Sequence, residues 1–225
     1  MKQLLLDIQP DAPPTFEGFV TGTNGELLAA LETLAAVPAR ESFYLWGMPG
    51  SGRSHLLRAT GLAAQNQGRP VAFVEGPRAG DEMEMPADGL LIVDDVHQLG
   101  GAAQIALFRA FNAARDLGLA LLLAGDVPPL QLALREDLRT RIGSALVFQV
   151  HPLDDEGKAQ ILACHAAGRG MRVEREVIDY LLRHGERDLP YLMAVLRALD
   201  RVSLERQRNI TIPLLKDVLS SPPQV

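Results

Sequence analysis

Short runs of apolar residues alternate with helical stretches over the first two thirds of the chain. Five of these runs have the length and the aliphatic composition of strands buried in a parallel sheet. They span residues 43–46, 71–74, 90–93, 119–124 and 146–150. Most are separated by segments with helical periodicity, which span residues 26–37, 54–67 and 102–117. The pattern predicts an α/β fold built from βαβ units, with a five-stranded parallel sheet flanked by helices.

The last third of the chain has a different pattern. From Asp154 to Ser220 every periodic segment is typical of a helix, and glycines and prolines divide it into about four helices. We therefore predict a tail at residues 1–12, an α/β domain at 13–152 and a small all-helical domain at 153–225. The segment 75–89, between the second and third strands, is rich in Gly, Pro and acidic residues, and we expect an exposed loop there.

Composition narrows the classes of function. A formal net charge of −6 and a pI near 5.4 argue against general binding to nucleic acid or to anionic membranes, because such surfaces need excess cations. The single cysteine, Cys164, cannot form a disulfide within the chain, which favours a reducing cytoplasm. No apolar run approaches the roughly 18 residues of a membrane span, and no Cys/His spacing is typical of a metal site.

A glycine-rich segment follows the first predicted strand and opens a predicted helix, which is the setting of a phosphate-binding loop. We predict that its residues bind the phosphates of a nucleotide: Gly47, Met48, Pro49, Gly50, Ser51, Gly52, Arg53 and Ser54, with His55 beside them. Arg53 occupies the position where a lysine normally reaches the β- and γ-phosphates, so we expect binding to survive better than hydrolysis. Ser54 would bind Mg²⁺ or phosphate. The alternative is a glycine-rich turn without a ligand.

Three carboxylates follow predicted strands at the edge where open α/β sheets bind ligands. Asp94 and Asp95 directly follow the strand at 90–93. Asp94 is therefore a candidate Mg²⁺ ligand, and Asp95 would face the water that attacks the γ-phosphate. Asp126 follows the strand at 119–124 and is a candidate nucleotide sensor. The alternative reading makes all three carboxylates solvated turn or capping residues.

These elements occur in an order that resembles the AAA+ ATPase class, and within it the DnaA/Hda family of bacterial replication initiators and regulatory inactivators. The segments that carry the resemblance read FYLWGMPGSGRSHLL, LLIVDDVHQL, LLLAGDVPP, DLRTRIGSALVFQVHPLDDEGK and LDRVSLERQRNITIPLLKDVL. The resemblance covers nearly the whole predicted α/β and helical regions. It implies a P-loop AAA+ domain followed by a helical lid.

The resemblance also implies roles for particular residues. Phe19 and Val20, with Phe16, would lie by the adenine of ADP or ATP. Arg141 matches the arginine finger that reaches the nucleotide of a neighbouring subunit, with Arg139 as the alternative. Pro190 stands where the family carries a sensor arginine, which argues against a lid response to the γ-phosphate and against efficient self-hydrolysis. A short peptide resembles the motif that docks on the sliding clamp, through Gln3, Leu4, Leu6 and Ile8.

The function implied is a cytoplasmic adaptor that negatively regulates replication initiation. Its partners would be the initiator DnaA and the β sliding clamp of DNA polymerase III, and hydrolysis would occur on the partner's ATP; how many copies assemble stays open. Direct sequence-specific DNA binding is not expected, because no basic helix-turn-helix pattern follows the lid. Two alternatives remain: an autonomous Mg²⁺-dependent ATPase, and a nucleic-acid-binding module that uses the lid residues Arg197, Arg201, Arg206 and Arg208.

Overall fold

The chain forms two compact units in the computed structural model, which describes residues 13–36, 39–186 and 189–220. Of the described residues, the first unit contains 13–19, 26–36, 39–46 and 53–148, and the second contains 20–25, 47–52, 149–186 and 189–220. The domain boundary at residues 152/153 stays a prediction. No helix within the described residues has both the length and the apolarity to cross a membrane.

A five-stranded sheet with the order β2-β3-β4-β1-β5 forms the centre of the first unit. Its strands are β1 Ser42–Trp46, β2 Val71–Glu75, β3 Leu90–Asp94, β4 Ala120–Gly125 and β5 Leu146–Gln149. The pairs β1–β4, β2–β3 and β3–β4 are parallel, with Tyr44 opposite Leu123 and Val74 opposite Val93. Every residue of β3 and β4 is buried, which explains why both strands are continuous apolar runs.

Four helices accompany the sheet: α1 Gly25–Ala35, α2 Arg53–Asn66, α3 Gly101–Leu117 and α4 Glu136–Gly143. Three short 3₁₀ turns lie at 76–78, 96–98 and 129–131. Helix α3 is followed by Gly118, whose φ of 63° lets its N–H cap the last turn of the helix. The core between helices and sheet is aliphatic, with Leu91, Leu107, Leu121 and Leu138 fully buried.

The predicted fold class is confirmed, but two details of the sequence prediction are wrong. Strand β5 is not buried: Leu146 is 51% exposed and Val147 is 40% exposed, because β5 is the last strand of the sheet and has one neighbour. The segment 75–89 is not wholly an exposed loop, since it contains the 3₁₀ turn Gly76–Arg78 and buries Met83 in the core. An apolar thioether side chain gains free energy by this burial even inside an acidic segment.

The helices α5 Asp155–Gly168, α6 Arg175–His184, α7 Leu189–Arg206 and α8 Ile212–Leu219 lie in the second unit. Their number agrees with the four predicted from the sequence. Asp154 caps α5 by accepting a hydrogen bond from the backbone N of Gly157 at 2.8 Å. The shared core of these helices includes the fully buried Leu162, Leu192 and Leu215.

Candidate functional site

The predicted phosphate loop has backbone conformations that require glycine. Gly50 has a φ of +76° and Gly52 a φ of +98°, in the left-handed region that other residues rarely adopt. A Cβ atom on Gly47 would lie 2.5 Å from the carbonyl oxygen of Val150 and 3.0 Å from the Oγ of Ser51. That Ser51 Oγ is buried and has no hydrogen-bond partner within the described residues. The loop therefore has the glycines that a close approach to phosphate demands, and a polar atom that can bond to a ligand.

In the first unit, Arg53 lies beside the carboxylates that end β3. The Nη2 of Arg53 is 3.9 Å from the Oδ1 of Asp95, and the Arg53 side chain is only 11% exposed. Asp94 is buried, and its Oδ1 accepts a hydrogen bond from the backbone N of Asp95 at 2.9 Å. Asp95 has a φ of 50°, an uncommon conformation for an aspartate. The side chain predicted to face an attacking water is thus within ion-pair distance of the arginine that replaces the lysine.

Asp126 lies close to His97, which belongs to the 3₁₀ turn that follows β3. The Oδ1 of Asp126 and the Nδ1 of His97 are 3.5 Å apart, and both atoms are buried without a hydrogen-bond partner among the described residues. The hydroxyl of the buried Tyr44 donates to the backbone oxygen of Val127 at 2.6 Å. Burial, reinforced by the charge of Asp126, raises the pKa of the Tyr44 phenol, which keeps this donor protonated.

Several buried polar atoms at the carboxyl edge of the sheet have no hydrogen-bond partner within the described parts of the chain, which provides a fit test for a polyphosphate ligand. They are the Nη1 of Arg53, the Nδ1 of His97 and the Oδ1 of Asp126. Buried polar atoms normally find partners, so their presence here is consistent with a ligand that supplies hydrogen-bonding oxygens to Arg53 and His97. Among the described residues, no three His, Cys, Asp or Glu side chains come together as a metal site would require. Mg²⁺ binding by Ser54 and Asp94 therefore stays a prediction.

Of the residues predicted to lie by the adenine, Phe19 contacts α2 through His55. The Nε2 of His55 is 2.9 Å from the backbone oxygen of Thr15, and the ring centroids of His55 and Phe19 are 5.7 Å apart. Thr15 also accepts a hydrogen bond from the backbone N of Gly18 at 3.1 Å through its Oγ1. His55 thereby ties the segment that carries Phe19 to the helix that follows the phosphate loop. Phe16 and Val20 are half-buried.

Arg141, the predicted arginine finger, is an exposed residue of α4 with an oriented side chain. Its Nη2 donates to the Oδ1 of Asn112 at 3.0 Å, and its Cζ lies 6.0 Å from the centroid of the Phe108 ring. Sequence reasoning did not single out Asn112 or Phe108. Arg141 and Asn112 are 29 positions apart in the chain, so local pattern gives no sign of their contact. The one local signal is that Phe108 and Asn112 lie one turn apart on the same helix, α3.

Arg141 lines an open recess of about 690 Å³. We call it the arginine recess; its lining residues are Phe108, Arg135, Glu136, Asp137, Thr140 and Arg141. Arg139, the alternative finger, is not one of the lining residues. The geometry therefore favours Arg141 over Arg139 as the residue that can reach a ligand placed in this recess.

Other predicted residues are not tested by the structure or are otherwise engaged. The clamp-docking residues Gln3, Leu4, Leu6 and Ile8 lie outside the described residues. Pro190 is the second residue of α7. In the lid, Arg206 pairs with Asp217 at 3.1 Å, while Arg201 and Arg208 are exposed. The Arg206 contact argues for a solvated, charge-paired lid surface rather than a continuous cationic one.

Comparisons with known proteins bear on the lid and on the fold. The family model described as "Hda, lid domain" matches residues 155–219. Domain III of the Thermotoga maritima replication initiation protein DnaA is similar to this chain with a TM-score of 0.79 and 20% identity, covering 98% of this chain and 100% of that one.

Two further solved structures have the same fold. A replication initiator DnaA bound to AMPPCP and single-stranded DNA matches with a TM-score of 0.70 and 22% identity, covering 89% of this chain and 69% of that one. RuvB from Thermotoga maritima matches with a TM-score of 0.74 and 15% identity, covering 93% and 72%. At these identities the structures show the fold, and the family match concerns residues 155–219. Residues 155–219 therefore belong to the Hda lid-domain family, and the chain has the fold of DnaA domain III and of RuvB.

Proposed function

We propose that this chain is a nucleotide-binding adaptor that inactivates the replication initiator DnaA. In this proposal it binds ADP or ATP itself, docks on the DNA-loaded sliding clamp, and offers Arg141 to ATP held by DnaA. The observation that carries the proposal is the exposed yet oriented guanidinium of Arg141 at the arginine recess. The same role makes the chain a negative regulator of initiation, because hydrolysis removes the ATP form of the initiator.

Arg141 has the properties that a finger acting on another subunit needs. Hydrolysis forms a bond from the water oxygen to the γ-phosphorus and breaks the bond to the bridging oxygen, so negative charge grows on the phosphate oxygens. A guanidinium stabilises that charge by about 4–7 kcal/mol, which corresponds to rate effects of about 10³–10⁵. The hydrogen bond to Asn112 and the contact with the Phe108 ring order the side chain in advance, which reduces the entropy lost on binding.

The chain's own site supports binding more than turnover. The glycines of the loop and the unpartnered Nη1 of Arg53 suit a phosphate. The ion pair between Arg53 and Asp95 counteracts a general-base role, because it holds the carboxylate toward the guanidinium instead of leaving it to a water. We therefore propose that the bound nucleotide serves to order the chain, and that ADP suffices.

The decisive experiment measures ATP hydrolysis by DnaA in the presence of the full chain and the clamp on DNA. Replacing Arg141 by Ala removes the finger, and the stimulated rate is expected to fall by about 10³-fold. Arg115→Ala is the matched control, because it removes an exposed guanidinium from α3 outside the arginine recess. An Arg141→Ala variant that stimulates as well as Arg115→Ala would disprove the proposal.

An autonomous ATPase is the second candidate, and the position of Asp94 favours it. Asp94 is the last residue of the buried strand β3 and is 6% exposed, as expected of a carboxylate that holds a hard cation at the sheet edge. The purified chain with ATP and Mg²⁺ discriminates the two candidates. Turnover near 1 s⁻¹ without partners, in the ordinary range for enzymes, would establish the ATPase. Turnover orders of magnitude lower supports the adaptor.

A further inference from the structure

We infer that Arg135 is a second guanidinium that contacts the phosphates of a nucleotide presented by a partner subunit, beside Arg141 in the arginine recess. This inference rests on the proposed function, because the ligand is the partner's nucleotide. Arg135 is the residue that precedes α4, and Arg141 lies in the last turn of the same helix. The two side chains approach the recess from opposite ends of one short helix.

Arg135 is fixed in place at both its backbone and its side chain. The backbone N of Arg135 donates to the Oε1 of Gln104 at 3.0 Å, and the Nε2 of Gln104 donates to the backbone oxygen of Leu99 at 2.9 Å. Its Nε and Nη2 donate to the two carboxylate oxygens of Asp137, at 3.2 and 2.7 Å. An exposed arginine held by two hydrogen bonds and an anchored backbone is already ordered before any ligand arrives.

Both guanidiniums keep donors that can serve a ligand. An arginine has five N–H donors in a planar fork that matches two oxygens of a phosphate. Arg135 uses its Nε and Nη2 toward Asp137, and Arg141 uses its Nη2 toward Asn112. Within the described part of the chain, no hydrogen bond engages the Nη1 of either residue. Two ordered guanidinium groups that face one recess form a site for an extended polyanion. Together they offer it more N–H donors than one guanidinium alone.

The acidic residues of the recess affect whether it prefers an anionic or a cationic ligand. Both oxygens of Asp137 accept hydrogen bonds from Arg135, and one also accepts from the backbone N of Leu138 at 2.8 Å. These contacts lower the pKa of Asp137, so it stays ionised and remains paired. Glu136 has no side-chain partner among the described residues. A polyphosphate ligand is repelled by Glu136, whereas a basic side chain of a partner is attracted by it.

Kinetics with the full chain, DnaA and the clamp on DNA test the inference. Arg135→Ala is expected to lower the stimulated rate of ATP hydrolysis by about tenfold, the effect of losing one charge-assisted hydrogen bond. The rate with Arg135→Lys is expected to lie between that of Arg135→Ala and that of the unchanged chain. Arg115→Ala is expected to change the rate by less than about twofold. Glu136→Gln is expected to raise the rate or lower the concentration needed for half-maximal stimulation. A decrease with Glu136→Gln would mean a basic ligand and would overturn the inference.

A second readout needs no activity. The Nε–H signals of Arg135 and Arg141 are followed by NMR while the ADP-saturated chain is titrated with tripolyphosphate, and Arg135→Lys and Arg141→Lys assign the two signals. We expect both signals to shift together, with the Arg115 signal unchanged. A shift of Arg141 without Arg135 would refute the role of Arg135.

The kinetic arms separate the inference from the proposed function. Loss of stimulation in Arg141→Ala, together with a fully active and normally folded Arg135→Ala, overturns this inference and leaves the proposed function intact. An Arg141→Ala variant with unchanged stimulation removes the proposed function itself. Thermal unfolding of Arg135→Ala completes the design, since a reduced rate with an unchanged melting temperature excludes loss of fold as the cause.

Discussion

Gly47 shows how a single residue determines the geometry of the phosphate loop. A Cβ atom at this position would lie 2.5 Å from the carbonyl oxygen of Val150, closer than real Cβ atoms approach backbone. We predict that Gly47→Ala displaces the loop and weakens ADP binding by at least about tenfold, or about 1.4 kcal/mol, measured by titration calorimetry. Gly168→Ala is the control, because a Cβ atom there would have no neighbour within 4 Å and ADP affinity should not change. Equal ADP affinity of the two variants would contradict the prediction.

Arg69 is a buried arginine that supports the fold rather than the site. Its Nη1 donates to the backbone oxygens of Leu34 and Ala36, and its Nη2 donates to those of Ala39 and Gly89. Burial lowers the pKa of this guanidinium, although it stays charged at neutral pH. The oxygens of Ala36 and Gly89 also accept from the backbone N of Ala39 and of Ala120, so the oxygens of Leu34 and Ala39 depend most on the arginine.

We therefore predict that Arg69→Met lowers the free energy of unfolding by about 3 kcal/mol, since it removes four hydrogen bonds and the donors to the oxygens of Leu34 and Ala39. Urea denaturation followed by circular dichroism measures the change. Arg40→Met is the control: its ion pair with Asp88 is largely exposed, and its loss is expected to cost less than about 1 kcal/mol. Similar destabilisation by both variants would show that Arg69 is not the support described.

The sequence alone predicts some of these residues and not others, for a physical reason. The phosphate loop is contiguous, so its glycines and the strand and helix around it can be identified directly from their order. The Arg53–Asp95 contact and the bond from Arg141 to Asn112 join residues far apart in the chain. Such contacts depend on how helices and strands pack, which local pattern does not encode. Arg69 lies outside every motif, and its structural role becomes apparent only from its burial in the folded chain.

At the scale of helices and strands, the apolar pattern predicts the fully buried strands and the long helix well, and fails for shorter or exposed elements. The buried strands β3 and β4 and the 17-residue helix α3 were predicted to within a residue or two of their ends. Helix α4 has only 8 residues and two buried positions, so its apolar pattern is too brief to define a helix. Strand β5 is apolar in sequence yet exposed, because strand order decides which strand lies at the edge.

Helices α3 and α4 act together to position the finger, and this contact can be tested. Asn112→Ala removes the acceptor for the Nη2 of Arg141, so the guanidinium becomes more mobile. We predict a fall of about 3- to 10-fold in the maximal stimulated rate of DnaA hydrolysis, with little change in the concentration of chain that gives half the effect. Asn112→Asp retains an acceptor and should restore most of the rate.

The control for this pair of helices is Asn66→Ala, at the exposed end of α2. It makes the same chemical change without touching Arg141, and its maximal rate should equal that of the parent chain. If Asn112→Ala lowers the rate only by raising the half-saturating concentration, the residue contributes to binding the partner rather than to orienting Arg141.

At the scale of the whole molecule, the proposed function distributes its tasks over separate parts of the chain. The arginine recess belongs to the first unit, and the Hda lid belongs to the second. Clamp docking is proposed for a segment within residues 1–12, outside the described residues. Tasks that depend on different segments should be separable by mutation, which a single catalytic centre would not allow.

The double variant Leu4→Ala/Leu6→Ala tests that separation. Each leucine that enters a hydrophobic pocket contributes about 1.5–3 kcal/mol, so removing both should weaken binding to the DNA-loaded clamp by far more than tenfold, measured by surface plasmon resonance. ADP affinity should not change. Arg141→Ala should show the reverse pattern, with normal clamp binding and no stimulation of hydrolysis. Leu5→Ala is the matched control within the same tail, and a double variant that binds the clamp as tightly as Leu5→Ala would refute the assignment of clamp docking to this peptide.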